Sequence, residues 1–311
     1  MSNVLIIKHG SLGDLIQAIG AIKDIKNSFK NDKVLLLTSN HFIQLMSQCP
    51  FLDGVLIDKR LPRWNLVYLM SLKNLLGKYN FTHVFDLQNS SRTRFYRRFI
   101  LKKNIKWSST DTILEPGEKK IDFDKSPVLD RMQIQLQKSG VKVENIKTPD
   151  LSWSLTDISR MIKRYTNKEY LLIFPFSSKK HNQKVWPYYK DLILKIKDFY
   201  QDKYTILVAP GPGEIDKVKG LGAKIILDEG KPINLNILIS LINKAKFIIS
   251  NDTGPAHISS HLNKDGLVLF GNHTSPQKVS VGNSKFKFIQ VENLKNLKVE
   301  VVFSEISKQL N

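Results

Sequence analysis

Four short stretches carry proton-handling and phosphate-binding residue types, three of them in glycine-containing turns. KHGSLGDLIQA, residues 8–18, sets a single carboxylate, Asp14, just after the apolar run Val4-Leu5-Ile6-Ile7. Gly10 and Gly13 permit a tight strand-to-helix turn, Ser11 could cap the helix, and Asp14 then falls in its first turn. A carboxylate there can simply complement the helix dipole, or it can serve as a general base toward a ligand beyond the strand. The turn lacks the G-x-G-x-x-G spacing of a dinucleotide fingerprint. SNDTGPAHISSHL (250–262) puts Asp252 and Thr253 at a strand end, Gly254 where backbone can approach a ligand, and Pro255 at a first helical position. Such a helix start aims free N–H groups at a phosphate, with His257 in its first turn. PFSSKKHNQKVWPYY (175–189) offers the hydroxyls of Ser177 and Ser178, and Lys184 ahead of a helix entrance, with Lys179 and Lys180 as rivals. VAPGPGEID (208–216) carries Glu214, which could accept bonds from ribose hydroxyls or sit exposed in a first helical turn.

The elements that must position these residues alternate. VLIIK (4–8), VLLL (34–37), VLI (55–57) and HVFDL (83–87) read as strands, with helical patterns at about 12–29, 40–48, 65–77 and 90–101. After an irregular, proline-containing stretch (102–150) with one helix near 127–139, a helix near 156–166 leads into a second series of strands. These are 170–176, 204–209, 224–227, 246–250 and 266–270. Helices are expected at 187–200, 213–220, 234–244, 255–262 and 299–310. The pattern predicts an α/β protein of two Rossmann-like domains facing across a cleft, 1–155 and 156–311, with a last helix that could pack back on the first domain. In open α/β sheets ligands bind beyond the carboxyl ends of the strands, where all four motifs fall.

The 311-residue chain is 41% hydrophobic and 24% charged, as expected of a globular protein. No apolar run nears the ~20 residues a membrane span needs, and residues 1–20 do not read as a signal peptide. The lone Cys49 excludes an internal disulfide and fits a reducing cytoplasm. A formal charge of +20 calls for an anionic partner. All nine arginines lie between Arg60 and Arg164, with tight groups at Arg60/Arg63 and Arg92/Arg94/Arg97/Arg98. No helix-turn-helix, RRM or zinc-finger pattern is present, so nucleic acid is not the expected partner. Asp122-Phe123-Asp124 spells D-x-D, but the histidines show no metal-ligand spacing, and no metal site or cofactor is expected.

Taken together, SLGDLI, FDLQNSSRTRF (85–95), the Lys184-Val-Trp-Pro run, GPGE and SNDTGPAHISSHL resemble the heptosyltransferases of glycosyltransferase family nine, in that family's order and at about its spacing. The resemblance implies a metal-independent enzyme of the GT-B fold that transfers heptose from ADP-heptose, with inversion, to an anionic, lipid-linked lipopolysaccharide core acceptor. It implies Asp14 as general base. It also implies donor binding by Lys184, Glu214, Asp252, Thr253 and Gly254, and Ser177, Ser178, Pro255 and His257, read above from the same stretches, are candidates beside them. The acceptor side falls to Gly13, Arg60, Arg63, Gln88, Arg92 and Arg94. A cytoplasmic protein in transient contact with the inner membrane surface follows from such an acceptor. Gln17 and Gly20 stand where many members have His and Pro, and GNHTSP (271–276) replaces a Gly-Pro-Thr pattern. These departures favour, as the alternative, another nucleotide sugar and a different surface polysaccharide acceptor.

Overall fold

The computed structural model describes residues 2–310, apart from the side chains of Lys179 and Lys180. The chain forms two compact units, Met1–Trp153 and Ser154–Asn311.

The first unit is built on five parallel strands: β1 (Asn3–Ile7), β2 (Lys33–Thr38), β3 (Gly54–Ile57), β4 (Phe81–Asp86) and β5 (Lys106–Ser108), in the order β3-β2-β1-β4-β5. Val4 to Ile7 are buried without a polar break, because helices cover both faces of a parallel sheet. Each such aliphatic side chain contributes about 1.5–3 kcal/mol of burial. Strand order reverses between β1 and β4, so their carboxyl ends, Ile7 and Asp86, define the crevice of this sheet.

The second unit has six parallel strands: β6 (Tyr170–Phe174), β7 (Thr205–Val208), β8 (Lys224–Ile225), β9 (Phe247–Asn251), β10 (Gly266–Phe270) and β11 (Phe286–Gln290). Their order is β11-β10-β9-β6-β7-β8. Here the reversal falls between β6 and β9. The closing helix Val299–Leu310 packs on the helix Tyr189–Tyr200 and on β10, with Val302, Ile306 and Leu310 in the core of its own unit.

The sequence pattern differs from the structure in three places. The long helix expected at 12–29 is two, Leu12–Gln17 and Ile19–Ser28, joined at Ala18. Just past the joint, Gly20 presses on neighbouring backbone: a Cβ there would lie 2.1 Å from the Asn145 carbonyl oxygen. The irregular 102–150 stretch holds β5 and the helices Thr110–Ile113, Lys120–Phe123 and Val128–Lys138, all in the first unit. β11 also escaped the pattern, since its central residues alternate Lys, Phe and Ile on a half-exposed edge. Cys49 is buried, and burial pushes its thiol up to about 12. Among the described residues no helix is long and apolar enough to cross a membrane.

Candidate active site

At the first sheet's reversal, β1 ends and the chain turns through Lys8 to Ser11. Gly10 has φ +77°, and a Cβ there would also fall 2.7 Å from the Phe42 ring, so glycine is required twice over. The Gln88 side-chain oxygen accepts from the backbone N–H of His9 (2.9 Å) and Gly10 (3.2 Å), tying the loop after β4 to the turn after β1. Ser11 caps the helix, and both its backbone N–H and its hydroxyl donate to Asp14 Oδ2 at 3.0 Å. The turn thereby fixes the carboxylate through one oxygen and makes no bond to Oδ1.

Asp14 lines a cavity of about 220 Å³ together with Lys8, Gln88, Asn89, Arg131 and Gln135. Its floor is already organised. Gln135 donates to the Asp86 and Ser108 carbonyls and accepts from Asn89 Nδ2 at 2.9 Å, while Asn89 Oδ1 accepts from the Thr110 N–H at 2.7 Å. The buried Lys8 ammonium donates to the Leu87 carbonyl at 2.9 Å. Burial lowers its pKa, the Asp14 and Asp86 carboxylates oppose that, and Arg131 adds to it. Arg131 is held by Asp124 at 2.9 Å. Asp122 pairs with Lys125, so both carboxylates of the D-x-D sequence are engaged in ion pairs.

Behind the turn lies a buried polar network. His9 Nε2 sits 2.8 Å from Asp58 Oδ2, the Tyr96 hydroxyl donates to the same oxygen at 2.7 Å, and Tyr68 donates to Oδ1. Arg92 donates to the Tyr96 hydroxyl (3.1 Å) and the Leu61 carbonyl (3.0 Å). Burial alone would raise the Asp58 pKa. The bonds from His9, Tyr68 and Tyr96 outweigh it and hold the carboxyl at about 2.

At the second sheet's reversal, the loops after β6 and β9 meet. Lys184 Nζ bonds Asp252 Oδ2 at 2.5 Å, His273 Nε2 lies 3.2 Å from the same oxygen, and His257 Nε2 lies 4.0 Å from Oδ1. Burial would raise Asp252, but Lys184 and the two histidines hold it below its ordinary range. Thr253 is the N-cap of the helix Gly254–His261, and Pro255 occupies its first turn, where no N–H is needed. Asn251, at the end of β9, receives the Trp186 N–H and the Tyr189 hydroxyl and donates to the Pro175 carbonyl, fixing both loops. The Ser177 hydroxyl bonds the His181 carbonyl at 2.7 Å, and Ser178 is exposed. Glu214 folds back on its own turn, accepting from the Gly211 N–H at 2.8 Å. An ammonium beside a helix N-terminus is an arrangement that suits a diphosphate.

The structure therefore gathers Asp14 and Gln88 in one cluster, and Lys184, Asp252, Thr253, Gly254, Pro255 and His257 in another. Gly13 is buried in the first helix, and the guanidinium of Arg92 turns inward to Tyr96. Arg94 lies 3.6 Å from Asp111, and Arg60 and Arg63 are exposed on the loop after β3. The side chains of Lys179 and Lys180 lie outside what is described. Sequence reading missed Lys8, Asn89, Arg131, Gln135 and His273. Lys8 was hidden at the end of an apolar strand and Arg131 and Gln135 inside an ordinary amphipathic helix, whereas Asn89 and His273 lie in FDLQNSSRTRF and GNHTSP, where nothing in the local pattern gave either side chain a role. A hollow of about 920 Å³ in the second unit includes Thr166, Lys168, Tyr204 and Thr205, at the amino ends of the strands and away from these clusters. Among the described residues no group of three or more His, Cys, Asp or Glu could hold a metal ion.

Two doubly wound parallel sheets, each with a polar loop cluster at its reversal, define the class: an α/β protein of the two-Rossmann-domain kind. The chain matches the model of glycosyltransferase family 9 (heptosyltransferase) over residues 69–303 and belongs to that family; the Asp14 turn lies outside the matched stretch. It is 24% identical over 302 residues to a putative glycosyltransferase of Haemophilus influenzae, covering 89% of this chain and 84% of the relative. Its fold is that of GT-B heptosyltransferases. It superposes on the E. coli heptosyltransferase WaaC with ADP at a TM-score of 0.72, with 16% identity and 99% of each chain covered. A family 9 glycosyltransferase from Veillonella parvula gives a TM-score of 0.74 at 15% identity, covering 99% of this chain and 97% of the other. The protein is accordingly a glycosyltransferase.

Proposed function

We propose that this family 9 glycosyltransferase transfers heptose from ADP-heptose to an anionic, lipid-linked acceptor of the lipopolysaccharide core, with inversion. Asp14 is the general base. Its Oδ1 takes the proton of the acceptor hydroxyl, the hydroxyl oxygen bonds to the anomeric carbon, and the bond from that carbon to the β-phosphate oxygen breaks, its electron pair leaving with ADP. The observation that carries the reading is the cavity at the first sheet's reversal, where one carboxylate fixed through Oδ2 shares its walls with Lys8 and Arg131. Two cations beside a base suit a hydroxyl carried next to an acidic group. Gly13 and Gln88 shape this turn. Arg60, Arg63, Arg92 and Arg94 add positive charge for the rest of the acceptor.

Lys184 and the backbone N–H groups at Thr253 and Gly254 take the negative charge that develops on the leaving diphosphate. In this proposal that positive charge comes from the chain rather than from a metal ion. Asp252 holds the Lys184 ammonium at the helix entrance. Ser177, Ser178, Pro255 and His257 surround the phosphates, and Glu214 exchanges its bond within the turn for one to the ribose. The WaaC structures carry ADP and ADP-2-deoxy-2-fluoro heptose, which supports an ADP-linked donor here. An acceptor of this kind puts the enzyme on the cytoplasmic side of the inner membrane.

Thermal-shift titration with ADP, UDP and GDP and their sugars tests the donor. ADP and ADP-heptose should raise the melting temperature well above the others at equal concentration. A clear preference for UDP or GDP would overturn the ADP-heptose assignment in favour of another nucleotide sugar.

A further inference from the structure

The helix Leu66–Gly77 carries apolar residues on both its sides in its first turns, with Ser71, Lys73 and Asn74 following on the outer side. Tyr68, Leu69, Leu72 and Leu76 are buried against the first sheet. On the outer side Leu66 is 70%, Val67 80% and Met70 65% exposed, and Trp64, just before the helix, is 80% exposed. A helix of that kind is normally covered on both sides. Beside it lies a hollow of about 730 Å³ lined by Ile57, Val67, Met70 and Leu75, with Lys59 and Lys78 among its residues. The surroundings are strongly one-signed. From Lys59 to Thr110 the sequence has twelve Lys and Arg residues and a single acidic one, Asp86, which is buried.

We propose that this surface, Trp64 with the outer face of Leu66–Gly77, is a docking site for an anionic lipid bilayer. An amphipathic tryptophan and aliphatic side chains, beside Lys59, Arg63, Lys73 and Lys78 and with no acid among the residues lining the hollow, match the boundary between anionic headgroups and acyl chains. A second copy of the chain is a poor occupant, because a two-fold contact would set the same cations against each other. The surface is also rigidly joined to the candidate site. Arg92 donates to the Leu61 carbonyl and Arg63 to the Ser91 carbonyl at 3.4 Å, stapling the Trp64 loop to the helix Ser91–Phe99. The loop before that helix, Gln88–Ser90, borders the Asp14 cavity. Both lie at the carboxyl edge of the first sheet, so docking turns that edge toward the bilayer. The inference deepens the membrane contact proposed above, but it rests on the first unit alone.

The test is co-sedimentation of the full chain with vesicles of phosphatidylcholine, with and without an equal share of phosphatidylglycerol. Wild-type protein should pellet with the mixed vesicles and not with phosphatidylcholine alone. The W64S/V67S double variant should bind them about tenfold or more weakly, while its transfer to a de-acylated acceptor in solution stays unchanged. W64F should still bind but lose the quenching of tryptophan emission by brominated lipid that wild type shows. Wild-type-like pelleting by W64S/V67S, no dependence on phosphatidylglycerol, or a Trp64-dependent dimer that ignores vesicles would each overturn the docking site. Persistent transfer in solution would leave the proposed function standing in any of those cases, and loss of transfer with intact vesicle binding would do the reverse.

Discussion

Asp14 and Lys184 are held in opposite ways, and the difference sets what each substitution should do. Asp14 is fixed by hydrogen bonds from its own turn, whereas Lys184 is fixed by a carboxylate across two loops, Asp252. Removing the ammonium leaves Asp252 buried beside two histidines and leaves a bound diphosphate without its counter-charge. Lys184→Met should therefore weaken ADP binding by about tenfold to a hundredfold, measured by calorimetry, and unchanged affinity would remove Lys184 from the donor site. Asp58 gives a stability prediction. Its folded pKa, about 2, lies below the ordinary unfolded value of ~3.9, so its stabilisation is fully present above the unfolded pKa and is lost as pH falls through the folded one. The contribution is about 2–3 kcal/mol at pH 7, and about half of it is gone by pH 3. Urea unfolding between pH 7 and pH 3 should show this component in wild type and not in Asp58→Asn; parallel pH profiles would contradict it.

At the scale of elements, Gly20 is the position where sequence and packing meet most sharply. A methyl group there would collide with the backbone of Asn145 and Ile146, which Asp24 pins through bonds to the Glu144 and Asn145 N–H groups. Gly20→Ala should cost about 1–3 kcal/mol and lower the melting temperature. Gly77→Ala, with nothing within 4 Å of its Cβ, should be neutral or slightly stabilising. Equal effects would show that the close approach is not the reason for glycine at position 20. The sequence alone gives no reason for glycine at position 20, because its partner lies 125 residues along the chain. Local elements were legible for the same reason in reverse. Apolar periodicity and turn residues marked Leu66–Gly77 and Val299–Leu310 within a residue or so. The short β5 and the half-exposed β11 carry too little pattern to be seen alone.

Over the whole molecule, the motif residues were legible because they follow strand ends in short stretches, most of them holding a glycine or a proline, where sequence order and spatial order coincide. Lys8, Arg131 and Gln135 were not, because they meet only when β1, β4 and the helix Val128–Lys138 assemble. The Asp58 network is similar: His9, Tyr68 and Tyr96 converge from three separate segments. The clustered arginines were visible in the sequence, but the exposed apolar face beside them became evident only once the helix had a buried side. The excess positive charge concentrates in the first unit's 59–110 stretch, as an anionic acceptor borne on a bilayer would require. The account rests most heavily on proton transfer to Asp14, and single-turnover transfer by Asp14→Asn with saturating ADP-heptose measures that step. The rate should fall by about a hundredfold to ten-thousandfold while ADP-heptose affinity stays at the wild-type value. Turnover at the wild-type rate would contradict the account.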